Sequence, residues 1–175
     1  MRVLMSTATL VVLAALAIVP NASAEIGYGI PFGKAAAAQQ FESSKGWYFS
    51  STVTCAGTEA AVADQPLQVF ASNYTQFAVS GQCGGPLPVP KNTQAGDLAV
   101  KWVLEHAAPN TTNFSNCRDR AWKYNSSATS YMDATAQFSG LPCGGGLYRT
   151  KSVAKWRDGN NVWHQGSRTT QAILK

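Results

Sequence analysis

The sequence predicts an all-β, mostly antiparallel fold, stapled by two disulfides and holding at most a short helix. Three observations carry that expectation. Four cysteines, Cys55, Cys83, Cys117 and Cys143, follow a leader of the exported type, and an even count in an exported chain reads as two disulfides. Strand-type alternation recurs between breaks rich in Gly, Pro and Asn. Charged residues are sparse, at 13%, while Gly, Ser, Thr, Ala and aromatic residues are plentiful, a balance that suits pleated, half-buried surfaces better than helices.

Residues 1–24, MRVLMSTATLVVLAALAIVPNASA, read as a signal peptide: Arg2, an apolar run from Val3 to Val19, Pro20, and the small-x-small motif Ala22-Ser23-Ala24. The run of 17 residues is short for a bilayer span, and no other apolar stretch approaches spanning length. The mature chain is therefore expected to begin at Glu25, to contain no stable membrane span, and to be secreted, or periplasmic in a Gram-negative host. Residues 25–44 form a lead-in, with a short helix favoured over AAAAQQFES by propensity alone.

Residues 45–175 carry the β domain. GWYFSSTVTC alternates as a strand, with Trp47, Phe49, Ser51, Val53 and Cys55 on one side. PLQVFASNYTQFAVSGQC holds two further β-rich runs, with Asn73 near a turn. QCGGPLPVPKNTQAGD is a break, because proline cannot donate to a sheet ladder. LAVKWVLEHAAP fits either a helix or a strand, ATSYMDATAQFSG one or two strands, LPCGGG a tight break, and the last 28 residues two or three strands.

One signal organises these pieces. The order Phe-Ser, Cys, Gln-Phe, Ser-Gly, Cys-Gly-Gly, Lys-Trp occurs twice, from Phe49 to Trp102 and from Phe114 to Trp156. Internal duplication explains it, and so does coincidence in a Ser/Gly-rich chain. Duplication would make 45–108 and 109–175 related halves, built either as one sandwich or as two small packed β modules. It would tip LAVKW toward strand, as the counterpart of SVAKW. Three cysteine pairings are open, and the repeat favours Cys55 with Cys83 and Cys117 with Cys143.

Charge is unevenly placed. Residues 25–116 hold four Lys and six acids, net −2, whereas residues 117–175 hold nine Lys or Arg and three Asp, net +6. A basic C-terminal half on an exported protein suggests attraction to acidic surfaces, glycans or nucleic acid, and nucleic acid is the least expected of these because +6 is modest beside dedicated nucleic-acid binders. Within that half, AKWRDGNNVWHQ reads as a hairpin. A two-residue Gly159-Asn160 loop would set Trp156 opposite Trp163, with Ala154 and Gln165 on their face, and Lys155, Arg157, Val162 and His164 on the other. The two indoles then go together, either into the core or outward as a stacking platform.

The leading functional expectation is non-catalytic recognition of an extracellular glycan, anionic surface or protein partner. The contacts would be Trp156, Trp163, Lys155, Arg157 and His164, with Arg149 and Lys151 nearby. No cofactor is expected. No metal is expected either, since no CxxC or HxxxH spacing occurs. No GxSxG, P-loop or HExxH motif points to an enzyme. A small ribonuclease-like hydrolase would have to use His106, His164 and Glu105, and adjacent Glu105 and His106 point to opposite faces of a strand. A third possibility is an inhibitor or toxin that presents the Gly/Pro loop 84–92 to another protein. Sequons stand at Asn73, Asn110, Asn113 and Asn125, and a eukaryotic host would place them on the surface.

Overall fold

The structure, a computed structural model, describes residues 40–84 and 88–175. The expected signal peptide, the lead-in up to residue 39 with its expected helix, and Gly85–Leu87 of the Gly/Pro loop lie outside the described residues. The described residues form β1 (Phe41–Ser50), β2 (Thr54–Asp64), β3 (Leu67–Phe77), β4 (Leu98–Ala107), β5 (Ser115–Asp119), β6 (Lys123–Tyr124), β7 (Tyr131–Phe138), β8 (Leu147–Arg157), β9 (Trp163–Thr169) and β10 (Ile173–Leu174). All pairings are antiparallel, and among the described residues no helix is long and apolar enough to cross a membrane.

Two packed sheets result. The first runs β1-β2-β3-β7. The second is centred on the β4–β8 pair, with β9 and β10 sharing the outer edge of β8, and β5 and β6 sharing that of β4. Strands from the two halves of the sequence interleave: β4 joins the second sheet and β7 the first. The disulfides are Cys55–Cys83 and Cys117–Cys143, the pairing that the repeat favours.

Alternation explains the second sheet. Leu98, Val100, Trp102 and Leu104 of β4, with Tyr148, Ala154 and Trp156 of β8, face inward onto Val62, Leu67, Val69, Ala71, Met132 and Ala134 of the first sheet. Each fully buried aliphatic side chain there contributes about 1.5–3 kcal/mol. Hydroxyls that enter this layer pair across it: Thr58 Oγ1 lies 2.6 Å from Ser152 Oγ. LAVKW is thus strand, the alternative that a duplication would favour. LAVKWVLEHA is also a good helix former in isolation, and a ten-residue register with β8 outweighs that propensity.

Three local expectations are corrected. GWYFSSTVTC is the end of one strand, a turn, and the start of another. Ser51 Oγ accepts from the Thr54 amide at 2.9 Å, and the chain reverses there. A bulge between Trp47 and Phe49 then sends both Tyr48 and Phe49 against the core. LQVFASNYTQF is a single 11-residue strand, and Asn73 lies within it, fully buried, rather than at a turn. Strand also begins at Phe41, inside the stretch read as lead-in, because Phe41–Ser44 pair with Ala60–Ala63.

One buried charge stands apart. Glu59 on β2 is 7% exposed, and among the described residues no donor bonds its carboxylate. Burial pushes its pKa above the ordinary 4.5, and Lys45 across on β1 pulls the other way. A carboxyl whose folded pKa is raised favours the fold most at low pH, and that contribution is lost as pH rises from 4.5 through the folded value. Glu59→Gln is therefore expected to raise the unfolding midpoint at pH 7 and to match the wild type below pH 4.5. Urea unfolding at pH 4 and pH 7 checks both.

Candidate functional site

The β8–β9 hairpin closes differently from expectation. Arg157 pairs with Trp163, Trp156 with His164 and Lys155 with Gln165, and the Asp158 amide donates to Val162 O at 3.0 Å, so the loop is Gly159-Asn160-Asn161. Asp158 sets this length. Its Oδ1 accepts from the amides of Asn160 (2.9 Å) and Val162 (3.0 Å), its Oδ2 contacts His164 Nε2 at 2.9 Å, and Asn161 takes the left-handed conformation at φ 62°. The His164 contact first, and those amides with it, hold the Asp158 carboxyl below its ordinary range.

A one-residue slip in register reverses a side chain's face. The two indoles therefore do not share one. Trp156 is core, 5% exposed, while Trp163 is on the outer face, 40% exposed. His164 likewise leaves the basic face. Its ring centroid sits 3.9 Å from that of Phe49 and 5.5 Å from that of Trp156, between β1 and β8.

What the outer face gathers instead is a set of aromatic rings around Lys155. Lys155 pairs with Ala99, which pairs in turn with Tyr124. The small alanine leaves the lysine free to reach over β4, and its Nζ donates to Tyr124 Oη at 2.7 Å. The same ammonium lies 4.6 Å from the centroid of Trp163, 4.7 Å from Trp122 and 4.9 Å from Tyr124. Contacts of that kind contribute about 0.5–1 kcal/mol each at exposed positions. Tyr124 is nevertheless 47% exposed, so the rings form a rim open to solvent.

Trp122 and Tyr124 were missed in the sequence. Their spacing, Trp-x-Tyr, is a strand signal over a very short span, and only the pairing of β6 with β4 brings them to Lys155. Asn125 anchors that strand: its Oδ1 accepts from the Leu98 amide at 2.9 Å and its Nδ2 donates to Gln94 O at 2.7 Å. Beneath the site, Asn73 Nδ2 donates to Ala99 O (3.0 Å) and Lys155 O (2.8 Å), which pins the backbone carrying Lys155 to the first sheet. Buried Asn73 and Asn125 are thus structural, not surface sequons, whereas Asn110 and Asn113 are exposed.

The remaining basic residues share the outer face but differ in company. Arg157 pairs with Asp97 at 2.6 Å and lies over Trp163. Arg149 pairs with Glu105 at 2.6 Å and stacks 3.9 Å from the centroid of Phe114. Lys151 lies between Arg149 and Lys155 along β8, opposite Val103. Among the described residues no ion pair involves Lys101, Lys151 or Lys155.

The residues a hydrolase would need do not converge. Glu105 is taken by Arg149 on the outer face, while His106 turns inward beside Tyr148, its Nε2 3.0 Å from Gly145 O. His164 is level with Trp156, eight residues farther along β8, roughly 26 Å away at strand rise. Among the described residues no group of three or more His, Cys, Asp or Glu is placed to hold a metal ion. No family model, no curated protein and no solved structure matches this chain.

Proposed function

We propose that the protein is an exported, non-catalytic recognition module that binds a glycan on the outer face of the β4–β8 sheet. One observation carries this reading: Trp163, Trp122 and Tyr124 present partly exposed rings around the Lys155 ammonium on the outer face of the sheet. Aromatic rings that combine an apolar face with a polar handle suit sugars, whose C–H faces stack while their hydroxyls need hydrogen-bond partners. A rigid sheet supplies such a platform with little ordering cost. Export by the 1–24 signal peptide is supported by two disulfides, which persist outside the reducing cell interior.

The test is a binding panel of neutral and acidic oligosaccharides and single-stranded polynucleotides, run on the wild type and on Trp163→Ala. Binding to at least one oligosaccharide, weakened tenfold or more in the variant at an unchanged unfolding midpoint, is the expected result. Capture of polynucleotide alone, or of nothing, would overturn the glycan reading.

A further inference from the structure

We infer that the glycan is acidic, and that Lys101 and Lys155, whose ammonium groups both approach the Trp122 ring, form the subsite for its anionic group. This inference rests on the glycan reading above and adds the chemical class of the ligand.

Both arginines of the outer face have carboxylate partners, Arg157 with Asp97 and Arg149 with Glu105. Neither lysine at Trp122 is in an ion pair among the described residues. The Lys155 Nζ lies 4.7 Å, and the Lys101 Nζ 5.3 Å, from the centroid of the same Trp122 ring. Their Cα positions are diagonal neighbours on adjacent strands, since Lys155 pairs with Ala99 and Lys101 with Val153.

Two ammonium groups drawn to one indole repel each other, and the ring quadrupole offsets only part of that repulsion. A carboxylate or sulfate placed between them turns a like-charge pair into two charge-assisted hydrogen bonds. The ring sets both donors in advance, so little side-chain entropy is lost when the anion arrives. Trp163, 4.6 Å from the Lys155 ammonium and 40% exposed, stacks the sugar that carries the anionic group or its neighbour. A neutral sugar would use the rings and leave the lysine pair uncompensated. Carboxylate and sulfate ester share this chemistry, and separate arms of one experiment tell them apart.

The experiment is calorimetric titration of the full chain at low salt with matched oligosaccharides: neutral, uronate-containing and sulfated. Wild type, Lys101→Met and Trp163→Ala are compared, with unfolding midpoints recorded for all three. The expected result is about tenfold tighter binding of at least one acidic oligomer than of the neutral one, a preference that weakens as salt screens it. Lys101→Met should reduce that preference to threefold or less. Equal affinity for neutral and acidic oligomers, or a preference untouched in Lys101→Met, overturns the anionic subsite. If Trp163→Ala still abolishes binding in that case, the glycan reading stands alone. Binding of none of the three oligomers removes both.

Discussion

Replacement of Asn73 by Leu is expected to destabilise the protein by about 3–5 kcal/mol, the largest loss from any single polar side chain in the core. The residue is fully buried in β3, and every polar atom of its amide is engaged. Nδ2 donates to the carbonyls of Ala99 and Lys155, at 3.0 Å and 2.8 Å, and Oδ1 accepts from Tyr48 Oη at 2.8 Å. Leucine keeps the approximate volume but strands a phenol and two carbonyls in the interior, each costing about 1–3 kcal/mol, less whatever local rearrangement recovers. The same three bonds join β1, β4 and β8 to β3, so the loss also loosens the strand pair that carries Lys155. Thermal unfolding reads the effect as a drop of roughly 10–20 °C. A drop of under 3 °C would show that the amide does not hold the sheets together. Tyr48→Phe, which removes one bond and leaves the Asn73 donors in place, is expected to cost about a third as much.

Gly166→Val is expected to be comparably damaging, by about 3 kcal/mol, for a steric reason. Gly166 pairs with Ala154 on the inward side of β9, where the free edge of β9 meets β1 of the other sheet. A Cβ at this position would overlap Cβ and Cγ of Tyr48. Because the first obstacle is the Tyr48 Cβ, shortening the tyrosine to alanine does not clear it, and the strands must separate instead. That separation would also pull His164 from Phe49 and free the hairpin that bears Trp163. Urea unfolding with tryptophan fluorescence measures the loss. An unchanged midpoint would mean that the seam between β1 and β9 is open in solution.

Much of the fold was legible because its signals are local. β8 alternates cleanly, Tyr148, Thr150, Ser152, Ala154 and Trp156 inward, and the residue order repeated around the cysteines favoured the observed pairing. The misreadings, and the segment 56–65 that went unread, arose where tertiary demands override local preference. β2 is buried along almost its whole length, so TCAGTEAAV shows no two-residue alternation to read. Asn73 has the composition of a turn and serves as an interior clamp, because its amide answers carbonyls far away in sequence.

The site was half legible for the same reasons. Lys155, Arg157 and Trp163 share the outer face, whereas Trp156 and His164 do not. The one-residue error in register came from treating Asp158 as a strand residue rather than as the cap of a three-residue loop. Lys101, Trp122 and Tyr124 complete the arrangement from separate elements, and no local pattern announces that they meet.

The central claim is that the outer face of the β4–β8 sheet, and not the indoles of the core, meets the ligand. The most direct test follows the indole N–H resonances of the five tryptophans in a two-dimensional NMR titration with an acidic oligosaccharide. The account predicts that Trp122 and Trp163 shift together and saturably, while Trp102 and Trp156, 7% and 5% exposed, stay in place. Saturable shifts confined to Trp47 or to the buried pair, or no shift at any indole, would contradict it.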